Sequence, residues 1–106
     1  KLTALIVDDD IVVQMVYKTL LRKFGVETHE AKNSQDALLA HHNGACFDLT
    51  MMDLDMLVTN DRQATKELRN MHIDSLIVGM TSREKEEEEK LFMNAGLDYY
   101  YYYYYY

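Results

Sequence analysis

The sequence has no proline and no tryptophan, only four glycines, and a single cysteine, Cys46. One thiol cannot build an internal disulfide framework. With seven methionines and no export signal, the expected compartment is reducing: cytoplasmic, or else nuclear. Cys46 stands just ahead of an apolar run and reads as a small packing residue rather than a nucleophile. No apolar stretch approaches the roughly 18 residues that a membrane span needs. Residues 2–7 are too short for the core of a signal peptide. The chain opens almost directly on that run, which fits a shortened chain or a missing leader. Basic residues are also scarce, 11 Lys and Arg against 18 Asp and Glu. The resulting net charge of −7 disfavours nonspecific binding to nucleic acid or an anionic membrane. It suits an ion or partner that brings positive charge.

What is present describes one small globular domain over 1–106. At 106 residues the chain can enclose a two-sided core, and 48% hydrophobic against 27% charged residues argues against disorder. Residues 99–106 are eight consecutive tyrosines. No folding logic calls for that run. An engineered or placeholder tail is the preferred reading, an aromatic edge strand with aggregation risk the alternative, and its first residues can form a strand.

Short apolar runs alternate with helical periods. Residues 2–7 (LTALIV) read as a strand buried on both faces of a parallel sheet. From Ile11 to Phe24 the period is helical, with Val13, Val16, Tyr17, Leu20 and Phe24 on one inward stripe and Gly25 as the stop. A weaker strand follows at 26–31. Asn33 or Ser34 caps the next helix, which turns Ala37, Leu38 and His41 inward and stops at Gly44. Residues 47–52 (FDLTMM) form a third strand, 62–70 a helix, 76–80 (LIVGM) a fourth strand, 83–95 a charged helix ended by Gly96, and Tyr99 begins a fifth strand. This alternation predicts a doubly wound parallel sheet with helices on both faces. In such sheets ligands bind beyond the carboxyl ends of the strands.

The residues at those ends are acidic. Asp8, Asp9 and Asp10 follow the first strand, and Asp53 ends the third, with Asp55 two positions on. If the two strands are neighbours, Asp8, Asp9 and Asp53 converge. Three close carboxylates repel unless a cation sits among them, and an oxygen-only donor set favours a hard ion such as Mg²⁺. Asp53 can then act as a nucleophile toward phosphorus, and Thr81 or Ser82 after the fourth strand can donate to a phosphoryl oxygen. Acids ahead of a helix often only complement its positive end, and Asp10 is read that way. Thr81 taken alone is as readily a helix cap. A second acid and a hydroxyl, each after its own strand, make Asp8 and Asp9 part of a site.

The segments LIVDDD (5–10), FDLTMMDLDM (47–56), ATKELR (64–69), VGMTS (78–82) and FMNAGLDYY (92–100) together resemble the receiver domain of two-component response regulators, and most of all the small stand-alone plant regulators. The resemblance implies a flavodoxin-like, five-stranded parallel sheet of order 2-1-3-4-5 and a signal-transducing phosphorelay function, with an aspartyl phosphate on Asp53. It implies Mg²⁺ ligated by Asp9, Asp53 and the backbone carbonyl of Asp55, with Asp8 holding a metal-bound water. It makes Thr81 the switch hydroxyl and Tyr100 the switch aromatic that turns inward when Thr81 moves. The chain would not be an enzyme beyond self-catalysed transfer to Asp53 and slow loss of the phosphate.

There are departures from the family pattern. Leu57 stands where the family has proline, and Asp61 where it has glycine, so the turn after Asp53 must differ in geometry or be strained. The family's Lys-Pro would fall at Tyr103 and Tyr104. Losing a charge-assisted hydrogen bond from that lysine costs about 1.5–3 kcal/mol, roughly ten- to a hundredfold in rate or lifetime. The family's final helix has no counterpart before Tyr106. A pseudo-receiver, an interaction module that no longer switches, is therefore the second reading. A haloacid-dehalogenase-type phosphatase with Asp53 and Asp55 as its motif is a distant third, because its usual Thr or Val is Leu57 here. The expected partner is a histidine-phosphotransfer protein or histidine kinase, docking near Ile11 and Met15, which lie off the predicted core stripe. With no attached effector segment, output would pass through a partner or drain phosphate from the pathway. The run 86–89 reads as a solvated helix face, with Glu86 and Lys90 able to pair. His29, His41, His42 and His72 show no metal-ligand spacing, and His41 and His42 are read as helix surface with one side partly packed.

Overall fold

A computed structural model of the chain describes residues 1–55, 61–70, 73–82 and 86–102, apart from the side chains at 61, 64 and 86. The elements run β1 (Thr3–Val7), α1 (Ile11–Lys23), β2 (Glu27–Ala31), α2 (Ser34–His42), β3 (Leu49–Asp53), α3 (Asp61–Asn70), β4 (Leu76–Thr81), α4 (Glu86–Ala95) and β5 (Tyr99–Tyr102). All pairings are parallel, in the order β2-β1-β3-β4-β5. This is the flavodoxin-like arrangement. In β1, residues 4–7 are all fully buried, as a strand covered on both faces requires.

Local signals set the helix ends. Asp10 accepts from the Val12 amide at 2.9 Å and caps α1, and Asn33 rather than Ser34 caps α2, accepting from the Asp36 amide at 2.8 Å. Gly25 takes φ +78°, a left-handed conformation that costs glycine least, and turns the chain into β2. Leu5 and Val7 of β1, Met52 of β3 and Ile77 of β4 meet Ala37, Leu68 and Phe92 of α2, α3 and α4 in one core cluster.

Three expectations need correction. β3 begins at Leu49, not Phe47. The Asp48 carboxylate accepts from the Thr3 amide at 2.8 Å, and the Phe47 ring packs edge-on to His29 and His41, so both residues serve the approach to the strand. His41 is buried, as its inward placement beside Ala37 has it and not as helix surface, its Nδ1 donating to the Ala37 carbonyl at 2.8 Å. The α1 stripe is the third. Val13 and Tyr17 are half-buried, but Val16, Leu20 and Phe24 are exposed, Phe24 at 83%. Polar contacts turn the helix instead: Gln14 Nε2 donates to the Asp8 carbonyl, Lys18 pairs with Glu30, and Arg22 Nε donates to Thr28 Oγ1. Glu30 and Thr28 are the register partners of Ile6 and Ala4, so α1 lies on the face opposite the core cluster. Among the described residues, α1 packs chiefly on β2 and β1, and its outer stripe stays exposed.

β4 runs through Thr81, one residue past expectation; α4 is described over Glu86–Ala95, and the expected start at residue 83 lies outside the described residues. Met56, Leu57, His72, Tyr103 and Tyr104, the turn ahead of Asp61, and the Glu86–Lys90 pair lie outside the described residues and side chains. The first four tyrosines of the terminal run form β5, paired with β4. Among the described residues, no helix is long and apolar enough to cross a membrane.

One long-range cluster had no signal in the sequence. The Arg69 guanidinium donates to the carbonyls of Gly96, Ile73 and Ser75 at 2.8–2.9 Å and to Asp98 Oδ2 at 2.5 Å. Asp98 Oδ2 also accepts from the Ile77 amide at 2.8 Å. This joins α3 to the amino ends of β4 and β5. Replacing Arg69 with alanine leaves these acceptors without their donor. The Arg69→Ala chain is expected to lose about 2–4 kcal/mol in urea unfolding, the range for breaking a partly buried, charge-assisted network.

Candidate functional site

The carboxyl ends of β1 and β3 are adjacent because the two strands pair directly, Val7 opposite Met52. Asp8 follows β1 and is buried, its Oδ1 accepting from the Asp10 amide at 2.8 Å. Asp9 is exposed, and Asp53 at the end of β3 is half-buried. Asp8, Asp9 and Asp53 each offer a carboxylate oxygen, all within 4.8 Å of one another. Asp10 stands aside as the helix cap.

This crowding shifts the acids. Burial, followed by repulsion from Asp8, Asp55 and Asp9, pushes the Asp53 carboxyl up from 3.8 to about 6, against the lowering effect of the Asp55 amide that donates to it at 2.9 Å. Asp8 is raised as well, mainly by burial, the Asp10 amide opposing and Asp9, Asp10 and Asp55 adding to it. Such a cluster is stabilised by a cation. The donors are all carboxylate oxygens with no histidine or cysteine among them, which fits Mg²⁺ in place of a softer metal.

The β4 side of the site is built by the β3–β4 register. Asp53 sits opposite Met80, and the Leu54 amide donates to the Met80 carbonyl at 2.8 Å. That continuation sets Asp55 beside Thr81 and Ser82. An added Cβ at Gly79 would lie 2.7 Å from the Leu54 and Leu97 side-chain tips, which would have to shift to admit it. Thr81 is buried, and its hydroxyl donates to Asp55 Oδ1 at 2.6 Å. The Ser82 amide and hydroxyl donate to Asp55 Oδ2 at 2.8 and 2.7 Å. Asp55 was expected to contribute only its backbone carbonyl, and this use of its carboxylate was missed. Nothing in the local sequence signals it, since its partners are 26 and 27 positions away.

Tyr100 is half-buried against Phe92, with ring centroids 6.2 Å apart, at the margin of the core cluster. It is the register partner of Gly79, and Tyr102 is that of Thr81, so Tyr100 lies on the Thr81 face two positions nearer the start of β5. Ile11 and Met15 are exposed at 71% and 61%. Exposure does not set them apart, because Val12, Val16 and Leu20 are exposed on the same helix.

Comparison with known proteins gives the family and the fold. The chain is 45% identical over 98 residues to Two-component response regulator 24 of Arabidopsis thaliana, covering 92% of this chain and 70% of that protein. It is 40% identical over 100 residues to Two-component response regulator ARR22 of the same plant, with the same shares covered. Among solved structures, the response regulator TrrA of Thermotoga maritima, in complex with Mg(2+)-BeF, superposes with a TM-score of 0.82 at 25% identity, over 97% of this chain and 87% of that one. These likenesses set aside the dehalogenase-type phosphatase. Receivers of this kind bind Mg²⁺ in an acidic pocket and interact with histidine kinases or phosphotransfer proteins. Residues 4–101 match the response regulator receiver domain, and the chain belongs to that family, as a phosphorelay receiver of two-component signalling.

Proposed function

We propose that Asp53 is the phospho-acceptor of this receiver and that Asp8, Asp9 and Asp53, with the Asp55 backbone carbonyl, hold the Mg²⁺ that the transfer requires. The observation that carries this is the convergence of three carboxylates from two strand ends within 4.8 Å. Asp53 stands at the end of the middle strand of the sheet, half-buried, where a donor can reach it. An Asp53 oxygen attacks phosphorus, the new P–O bond forms as the donor's P–N bond breaks, and the electron pair returns to the donor imidazole. Water later cleaves the acyl phosphate and restores the carboxylate. Bound Mg²⁺ would supply positive charge against the phosphoryl oxygens and keep Asp53 ionised. Thr81 donates to a phosphoryl oxygen in the modified state, and Tyr100, already against Phe92, is the aromatic that follows it inward.

Incubation with Mg²⁺ and acetyl phosphate, read by intact mass, tests this. One added phosphoryl group per chain is expected, and an unmodified chain would leave the pseudo-receiver reading.

The donor is a histidine-phosphotransfer protein or histidine kinase, docking over the start of α1. Ile11 and Met15 lie two and six residues after Asp9, and both are exposed apolar side chains. The double replacement Ile11→Ala with Met15→Ala is expected to slow transfer from a phospho-histidine donor about tenfold, as loss of two interface anchors does. Transfer from acetyl phosphate should stay unchanged. Equal rates with the protein donor would remove these residues from the interface.

A further inference from the structure

The Asp55 carboxylate accepts three hydrogen bonds from the end of β4: Thr81 Oγ1, the Ser82 amide and Ser82 Oγ, at 2.6–2.8 Å. A fourth acid is thus held beside a cluster of three, where it adds repulsion to Asp53 and Asp8. An asparagine or serine could tie β3 to β4 without that cost. Thr81 and Ser82 directly follow Met80, the register partner of Asp53, so these donors stand at the same strand edge as the acceptor.

We infer that Asp55 is an internal anion that occupies the phosphoryl-binding donors in the unmodified chain, so that phosphorylation of Asp53 must displace it from Thr81. The proposal rests on Asp53 as the acceptor. The Thr81 hydroxyl carries one proton, and Thr81 is only 1% exposed. It donates to Asp55 or to a phosphoryl oxygen, and each bond formed to one is lost to the other. The two acceptors are both anionic oxygens, so the exchange is close to balanced. A phosphoryl group therefore gains less from Thr81 than it would from a free hydroxyl. Asp55 is on this account a positioning residue that sets how strongly phosphorylation drives the Thr81 movement.

The test uses beryllofluoride with Mg²⁺ as the phosphoryl mimic, with affinity measured for the unsubstituted chain, Asp55→Asn, Thr81→Ala and the double variant. Asp55→Asn is expected to bind the mimic about tenfold more tightly, the lower end for releasing one charge-assisted bond. In the Thr81→Ala chain the same change should gain about threefold or less, because no hydroxyl remains to be freed. Thr81→Ser, which keeps the hydroxyl, should restore most of the larger gain. An equal gain in both backgrounds would reduce Asp55 to a source of repulsion and overturn the proposal, as would no gain at all.

A second measurement needs no variant. The Asp55 side-chain carboxyl ¹³C resonance should move when beryllofluoride is added to the Mg²⁺-loaded chain, and a resonance that stays in place overturns the displacement. Failure of the unsubstituted chain to bind the mimic at all would instead defeat Asp53 as acceptor, and the displacement with it.

Discussion

An Asp53→Asn chain incubated with Mg²⁺ and acetyl phosphate is expected to gain no phosphoryl mass, where the unsubstituted chain gains one group. The amide nitrogen and carbonyl that replace the carboxylate are not nucleophiles toward phosphorus at neutral pH. Three of the four acidic neighbours are already engaged. Asp8 is buried and committed to the Asp10 amide, Asp10 caps α1, and Asp55 is tied to Thr81 and Ser82. Only Asp9 is exposed within the cluster, and it belongs to the loop after β1. Phosphorylation that persists in Asp53→Asn would move the acceptor elsewhere.

The same substitution should stabilise the fold without metal. The upward shift of Asp53 to about 6 means that its ionised form is held against burial and three like charges. Taken at face value this corresponds to about 3 kcal/mol. Because the group is only half-buried, solvent screening reduces it to about 1–2 kcal/mol. Asp53→Asn is thus expected to be inactive yet more resistant to urea at neutral pH. A loss of both activity and stability would mean that the carboxylate supports the fold, contrary to its electrostatics.

The second large effect is the response to Mg²⁺ and its pH dependence. In the metal-free chain the native state keeps the Asp53 proton up to about 6, while the unfolded chain releases it near 3.8. Between those values the native state binds more protons. Its stability is therefore highest below the lower value and falls as pH rises through the window to the upper one. At the proposed site Mg²⁺ would bind only the ionised, assembled cluster, and it should reverse the loss above that window. At about a hundredfold excess over its dissociation constant, Mg²⁺ adds about 2.7 kcal/mol, or roughly 10–20 °C in Tm for a chain of this size. The rise should be present at neutral pH, vanish near pH 4 and be absent in Asp9→Asn. A shift that survives in Asp9→Asn would place the ion outside the three-carboxylate cluster.

Much of the site was legible because parallel sheets impose an edge. Once strands were assigned from 2–7 and 47–52, the acids that follow them had to lie on the same side. Direct β1–β3 pairing then brought Asp8, Asp9 and Asp53 together. The helix ends were legible too, since Asp10, Asn33 and Gly25 act through hydrogen bonds and dihedral angles within a few residues of themselves. Such features depend on chain neighbours alone, and a linear sequence contains its chain neighbours.

The tertiary structure decided what depends on residues that are distant in the chain. The apolar stripe of α1 had the right period, but period does not choose which side of a helix meets a sheet. Gln14, Lys18 and Arg22 chose it by reaching Asp8, Glu30 and Thr28. Phe47 looked like strand by composition, yet the Asp48 bond to Thr3 starts β3 two residues later. Arg69 and Asp55 carry the same lesson. Their side chains act through partners that only the sheet register brings close: Gly96 and Asp98 for one, Thr81 and Ser82 for the other. The sequence by itself determined the alternating parallel fold and the acidic edge, because both follow from local pattern. Only the folded chain determined which hydroxyls and amides each acid holds, because a hydrogen bond requires partners within about 3 Å, and separation along the chain does not report separation in space.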